Sequence, residues 1–194
     1  MKHDLHIGGF AFDLRPITLE DADFIVELRS DRQHCRFLRP FPLTLETQRA
    51  YLEEYFRREG DYYFVVERRR DNHREGLAAI YDVNLEKRCA EWGRWILRPH
   101  SLAAAECALR IYEAAFDHLH LDEVYCRTIA KNEQVVGFHD RCGLARRAIL
   151  PGYASFEGTT YDSIEQVLTR ENWPRVRRSM ELKARLIARR IEGS

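Results

Sequence analysis

The sequence predicts one domain of the mixed α/β (α+β) class, built on a six- to seven-stranded, mostly antiparallel sheet with a central parallel pair and flanking helices. Three observations predict it. A chain of 194 residues is long enough to bury one substantial core, and it has no Pro/Gly/Ser linker that would divide it. "YYFVVER", "GLAAIYDVNL" and "AEWGRWIL" follow one another between residues 62 and 97 as strands joined by short polar turns, an antiparallel meander. The strongest helical periodicity in the chain comes next, and then "EVYCRTI"; strand, long helix, strand in that order implies a right-handed crossover and a locally parallel pair.

The elements follow in order. "DLHIGGFAFDLRPIT" holds two alternating runs joined at Gly8-Gly9, a pair that tolerates positive φ, and predicts an N-terminal hairpin. Thr18 caps a helix with Asp21 in its first turn and Ala22, Ile25, Val26 and Arg29 at helical spacing, ending near Ser30. "RSDRQHCRFLRPFP" is irregular and basic, mixing Arg29, Arg32, Arg36 and Arg39 with Phe37 and Phe41. Thr44 caps a second helix to about Arg58, with Tyr51, Leu52, Tyr55 and Phe56 as its apolar stripe. In "AEWGRWIL", alternation sets Glu91, Gly93, Trp95 and Leu97 on one face and Ala90, Trp92, Arg94 and Ile96 on the other; Gly93 in mid-strand marks a bulge or the close approach of a ligand. After Pro99, Leu102, Ala105, Leu109, Tyr112, Phe116 and Leu119 recur at steps of three and four, the stripe of a helix packed on a sheet.

"TIAKNEQVVGFHDRCGL" reads as a strand end, a corner and a short helix over roughly 133 to 142, with Asn132 as N-cap and Gly143 as the left-handed stop. At about 3.6 residues per turn, Asn132, Val135, Val136, His139 and Cys142 share a side, and Glu133, Asp140 and Arg141 fall largely elsewhere. "ARRAIL" and "TYDSIEQVL" are two more strands about a glycine-containing loop, "PGYASFEGT". Residues 1–173 make the domain, and 174–194 a basic amphipathic helix: seven Lys and Arg face Glu181 and Glu192, with Val176, Met180, Ile187 and Ile191 at helical spacing. Such a helix is expected to lie on the domain or on a partner in a homodimer, in preference to nucleic acid or membrane.

Lys plus Arg equal Asp plus Glu at 31 each, so no global charge points to nucleic acid or an anionic membrane. The five cysteines are odd in number, scattered and without metal-ligand spacing, which predicts reduced thiols, no metal and a cytoplasmic protein. The start "MKHDLHIGGF" lacks a signal-peptide core, and no run approaches about 18 apolar residues.

The order of elements, with "LRPIT" at 14–18, "AEWGRWIL" at 90–97 and "NEQVVGFHDRCGL" at 132–144, resembles the acetyl-CoA-dependent GNAT N-acetyltransferase superfamily over residues 10–173. Within it the chain looks nearest to ribosomal-protein N-terminal acetyltransferases and to enzymes acetylating a nucleotide-linked amino sugar. The resemblance implies a sheet splayed at its parallel pair and direct acetyl transfer to an amine: a protein N-terminus, an amino-sugar nucleotide or a small amine. One departure stands out. "RPHSLAAAE" occupies the place of the glycine-containing pyrophosphate loop and has no glycine. Small residues at a helix N-terminus still expose amides and a partial positive charge, so Ser101, Ala103 and Ala104, flanked by Arg98 and His100, are the expected phosphate contacts. The alternative is a non-catalytic acyl-CoA-binding or interaction domain.

The resemblance further implies that Trp95, Ile96, Leu97, Asn132 and Phe138 line the cofactor site and that a backbone amide of the splayed strand holds the oxyanion. An alkyl ammonium of pKa near 10 is neutral only about one part in a thousand at pH 7, so a base helps most, and Glu91 matches a glutamate of the family. The competing reading of Glu91 is a strand carboxylate paired with an arginine. His139 stands where the family places a tyrosine acid, and is expected either to donate to the departing thiolate or to pack. Acceptor binding falls to Arg29, Arg36 and Phe37, which suit a phosphate or an acidic peptide; a solvated loop is the other reading.

Overall fold

The computed structural model describes residues 2–38, 40 and 42–193; Arg39 and Phe41 of the basic loop lie outside them. Seven strands form one mixed sheet: β1 (Phe12–Pro16), β2 (Tyr62–Arg68), β3 (His73–Asn84), β4 (Cys89–Leu97), β5 (Glu123–Ile129), β6 (Ala145–Phe156) and β7 (Thr159–Thr169), in the spatial order β1-β2-β3-β4-β5-β7-β6. Every neighbouring pair is antiparallel except β4 with β5, whose connection carries α3 (Ala104–Glu113) and a π-helical turn at Ala114–His118. Alternation along the strands feeds two cores. Phe64, Val66, Ala78, Ile80 and Trp92 meet α3 and α5 (Trp173–Glu192) on one face. Tyr63, Val65, Leu77 and Ala79 meet α1 (Ala22–Arg29) and α2 (Leu45–Tyr55) on the other.

The basic C-terminal helix lies on the domain. Trp173, Val176, Met180, Ala184 and Ala188 of α5 are buried in the α3-side core, and Arg177 reaches Glu113 and Asp117. No described helix is long and apolar enough to cross a membrane, and among the described residues no cluster of His, Cys, Asp and Glu can hold a metal.

Two expectations fail for identifiable reasons. The N-terminal hairpin shrinks to a single bridge, Ile7 with Leu14. The amides that would extend it are taken by one buried carboxylate: Glu106 on α3 accepts from the amides of Phe10, Ala11 and Phe12, and pairs with Arg110. Gly9 is required beside it, since a Cβ there would collide with the Phe12 carbonyl and Glu106. The glycine-containing loop of 151–159 is mostly strand. β6 runs through Pro151 and Gly152 to Phe156, because an edge strand tolerates proline and Gly152, at φ 62°, takes up an irregularity while Asp162 holds its amide.

Glu106 thus ties β1's approach to α3. Glu106→Ala should destabilise the fold by about 3–5 kcal/mol, the range for breaking a buried charge pair, read as a lower urea midpoint at unchanged slope.

Candidate active site

The site begins where β4 and β5 part. They pair only at Cys89–Glu123, Ala90–Val124 and Glu91–Tyr125. β4 then slips by one residue against β3 between Gly93 and Ile96, with Arg94 at φ 48°. A non-glycine residue there costs on the order of 1–2 kcal/mol. Buried Asp61 holds the Arg94 guanidinium at 2.7 and 2.8 Å, and the Tyr81 ring lies 4.6 Å from it. The bulge that Gly93 signalled is therefore real, with the Tyr81 hydroxyl crowding the place of a Cβ on Gly93. It overturns strict alternation: Trp95 and Leu97 join Trp92 on the α3 side, while Arg94 and Ile96 face the α1–α2 side with Tyr63 and Tyr81.

A groove of about 450 Å³ runs from the end of β4 past the start of α3 to α4 (Glu133–Arg141). It brings together nine of the ten residues expected at the cofactor site: Trp95, Ile96, Leu97, Arg98, His100, Ser101, Ala104, Asn132 and Phe138. Their local roles differ from the expectation. α3 begins at Ala104, not Ser101, whose hydroxyl accepts from the Ala103 amide at 3.2 Å. Ala103 is fully buried and packs in the core, so its side chain contacts no ligand. Arg98 is committed elsewhere, donating to the Arg74 carbonyl at 2.8 Å and to Glu27. Asn132 precedes α4 but makes no side-chain cap, its backbone being at ψ 62° instead of extended; the amide is left facing the groove. Gly143, at φ 89°, ends the helix as expected.

Sequence reasoning missed Arg141, which lines the groove from the end of α4. Its signal was Gly137, four residues earlier: the Arg141 Nη1 lies 3.1 Å from where a Cβ on Gly137 would stand, so the glycine makes room for the guanidinium.

His139 does not line the groove. It is 3% exposed, with its ring 4.9 Å from Trp92 and 5.9 Å from Trp95, and Nδ1 finds no partner among the described residues. Burial lowers its pKa from 6.5 to about 4, so the imidazole is neutral at pH 7. Glu91 is also buried. Its carboxylate accepts from Arg127 at 3.0 Å, and the Tyr81 hydroxyl donates towards it. Burial raises its pKa, against the pull of Arg127 and Tyr81.

On the other face of β4 lies a cavity of about 320 Å³ walled by Tyr81, Arg94, Gln48 and Tyr51. It shares Leu38 and Ile96 with the groove. Arg29 lines this cavity, Arg36 and Phe37 the groove. The arrangement sets two openings, sharing Leu38 and Ile96, on either side of a strand end that is unpaired towards β5.

A family model described as "Acetyltransferase (GNAT) domain" matches residues 12–145. Among solved structures, the fold is similar to a GCN5-related N-acetyltransferase from Brucella melitensis (TM-score 0.82, 16% identity, covering 93% of this chain and 85% of that one). It is also similar to a mutant form of the spermidine N-acetyltransferase SpeG from Vibrio cholerae (TM-score 0.74, 19% identity, 84% and 96% covered). No curated protein matches.

The His139 burial has a consequence in pH. A depressed histidine pKa stabilises the fold fully above 6.5, and that contribution is lost as pH falls towards 4. Between pH 7.5 and 4.5 the parent should lose about 2–3 kcal/mol that the His139→Phe variant keeps, measured by urea unfolding of both at the two pH values.

Proposed function

The chain belongs to the GNAT acetyltransferase family, and on that premise we propose that it is an N-acetyltransferase moving the acetyl group of acetyl-CoA to a primary amine by direct attack in a ternary complex. The observation that carries the reading is the meeting of groove and acceptor cavity at Leu38 and Ile96, across the unpaired end of β4.

The residues present fit the donor. Beyond Glu91, β4 has no partner on its β5 side, which leaves backbone groups for an extended pantetheine arm. The first-turn amides of α3 have no intrahelical acceptor and carry the positive end of the helix dipole, Ala104 keeps that corner small, and Arg141 adds a full charge beside it. When bound, acetyl-CoA supplies a thioester carbonyl for attack and a thiolate of ordinary pKa near 8.5, which leaves without needing an acid.

On the acceptor side, the Tyr81 hydroxyl takes a proton from the attacking amine as it passes its own to Glu91, so a buried carboxylate serves a cavity it does not line. Burial raises the Glu91 pKa against the pull of Arg127, which makes the carboxylate a stronger base than an exposed one. A backbone amide of the parted β4 end holds the oxyanion. His139, neutral, outside the groove lining and packed against Trp92 and Trp95, serves packing and not proton donation in this reading.

Two measurements test this. Arg141→Glu should weaken acetyl-CoA binding at least about 10-fold by calorimetry, through repulsion of the phosphates; unchanged affinity would move the phosphate site elsewhere. Glu91→Gln and Tyr81→Phe should each lower kcat about 100-fold or more at neutral pH, with partial recovery as the amine deprotonates by itself at higher pH, and with little change in acetyl-CoA KM. Binding without turnover on any amine would favour a non-catalytic acyl-CoA-binding domain.

A further inference from the structure

The acceptor side holds features that acetyl transfer alone leaves unused. Beyond the inner cavity lies an outer one of about 540 Å³, and the two share Arg29 and Leu38. In the inner cavity, Gln48 is 2% exposed and its Oε1 finds no partner among the described residues. A buried carbonyl oxygen without a donor is a site for one, and an amine is a donor. The outer cavity is walled by Arg29, Arg32 and Arg36 against one carboxylate, Glu157, with the Phe156 and Tyr161 rings stacked 4.9 Å apart beside them. Arg94 in the inner cavity is answered by Asp61, whereas Arg32 and Arg36 face the single lining carboxylate Glu157 in the outer one.

The geometry points to a bifunctional small-molecule acceptor: a primary amine held at Gln48 and Tyr81, on a scaffold whose anionic group, phosphate or carboxylate, is held by Arg32 and Arg36. This rests on the N-acetyltransferase reading and narrows it. A polyamine has the wrong charge for such a wall, since each of its ammonium groups would face arginines with one carboxylate to share. Arg36 also lines the donor groove, which places the anion-binding wall and the donor within one loop. Arg32 is exposed and lines the outer cavity alone, so its replacement leaves the fold and the donor groove intact.

The test uses one pyranose scaffold in three charge states, glucosamine, glucosamine 6-phosphate and glucosaminuronic acid, whose carboxylate stands at the same C6 position, with spermidine and a short acidic peptide as further acceptors. Acetyl-CoA-dependent acetylation should show kcat/KM at least 10-fold higher for the phosphate, the acid or both than for glucosamine, and spermidine should be poorest. The better of the two anionic members identifies the group. Arg32→Ala should remove most of that preference through the acceptor KM, leaving the acetyl-CoA KM unchanged, and Arg32→Glu should turn the preference towards spermidine. Equal rates across the three scaffolds, or a preference for spermidine or for the acidic peptide, would overturn the inference and leave the N-acetyltransferase reading standing. Calorimetry with glucosamine 6-phosphate separates the two claims: binding lost in Arg32→Ala without turnover of any amine keeps the anion site and sinks the enzymatic reading. Neither binding nor turnover with any member of the series sinks both.

Discussion

The ion pair between Asp61 and Arg94 is the constraint on which the site depends. Arg94 occupies a backbone region that its side chain disfavours, and it stays there because a buried carboxylate grips both guanidinium nitrogens and two tyrosine rings flank it. That one residue re-phases β4. Without the bulge, Trp95 would lie on the α1–α2 side and the aromatic wedge of Trp92, Trp95, Phe138 and His139 would lose its centre. Trp95 and Phe138 of the wedge line the groove, while Ile96 lines both the groove and the cavity of Tyr81 and Gln48. Strain at one backbone position thus decides which side chains of β4 face each opening.

Below the opening the sheet is held by charge. Glu91, Arg127, Glu165, Arg147 and Glu123 form a continuous chain of alternating sign across β4, β5, β7 and β6. Burial would push Glu165 towards protonation, yet Arg147 and Arg127 hold its pKa below the ordinary carboxylate range. Glu91 sits at the end of the chain with one arginine instead of two, and there burial prevails. The difference distinguishes the two carboxylates, and it makes the arginine-paired reading of Glu91 compatible with the base proposed above. Each arginine pulls a buried carboxylate's pKa down against burial, so the count of arginines sets which effect prevails.

What the sequence shows clearly is what periodicity encodes. The meander, the crossover through the long helix, the parallel pair and the glycine stop at Gly143 all follow from local pattern and turn chemistry. What it hides is set by long-range partners. The Arg94 bulge depends on Asp61, 33 residues away, and strict alternation reads through it. The lost hairpin depends on Glu106, some 95 positions from the amides it takes. Arg98 and Ala103 belong to the right corner, but one is claimed by Glu27 and the other by the core, and no spacing rule distinguishes them from Ala104. Gln48 has no local signal at all, since a glutamine on a helix flank is ordinary until its burial is seen.

The glycine-free corner at the start of α3, proposed above to hold phosphate, meets one physical requirement with other residues. A glycine-rich loop offers positive φ, absence of bulk and close approach to amides. Here His100 takes the positive-φ position at 64°, a conformation accessible to histidine at modest cost. Ala104 supplies the small profile at the first turn of α3, and Ser101 stabilises the turn by accepting from the Ala103 amide. The remaining glycine sits in α4: Gly137 weakens that helix by about 1 kcal/mol relative to alanine, and the space it leaves admits the Arg141 guanidinium. In the proposed reading backbone approach is supplemented by a side-chain charge, and the room that charge needs comes from a glycine on its own helix. An anion held at such a corner, as proposed above, would owe a larger share of its affinity to Coulombic attraction, so that affinity would fall more steeply with salt than at a corner built from amides alone.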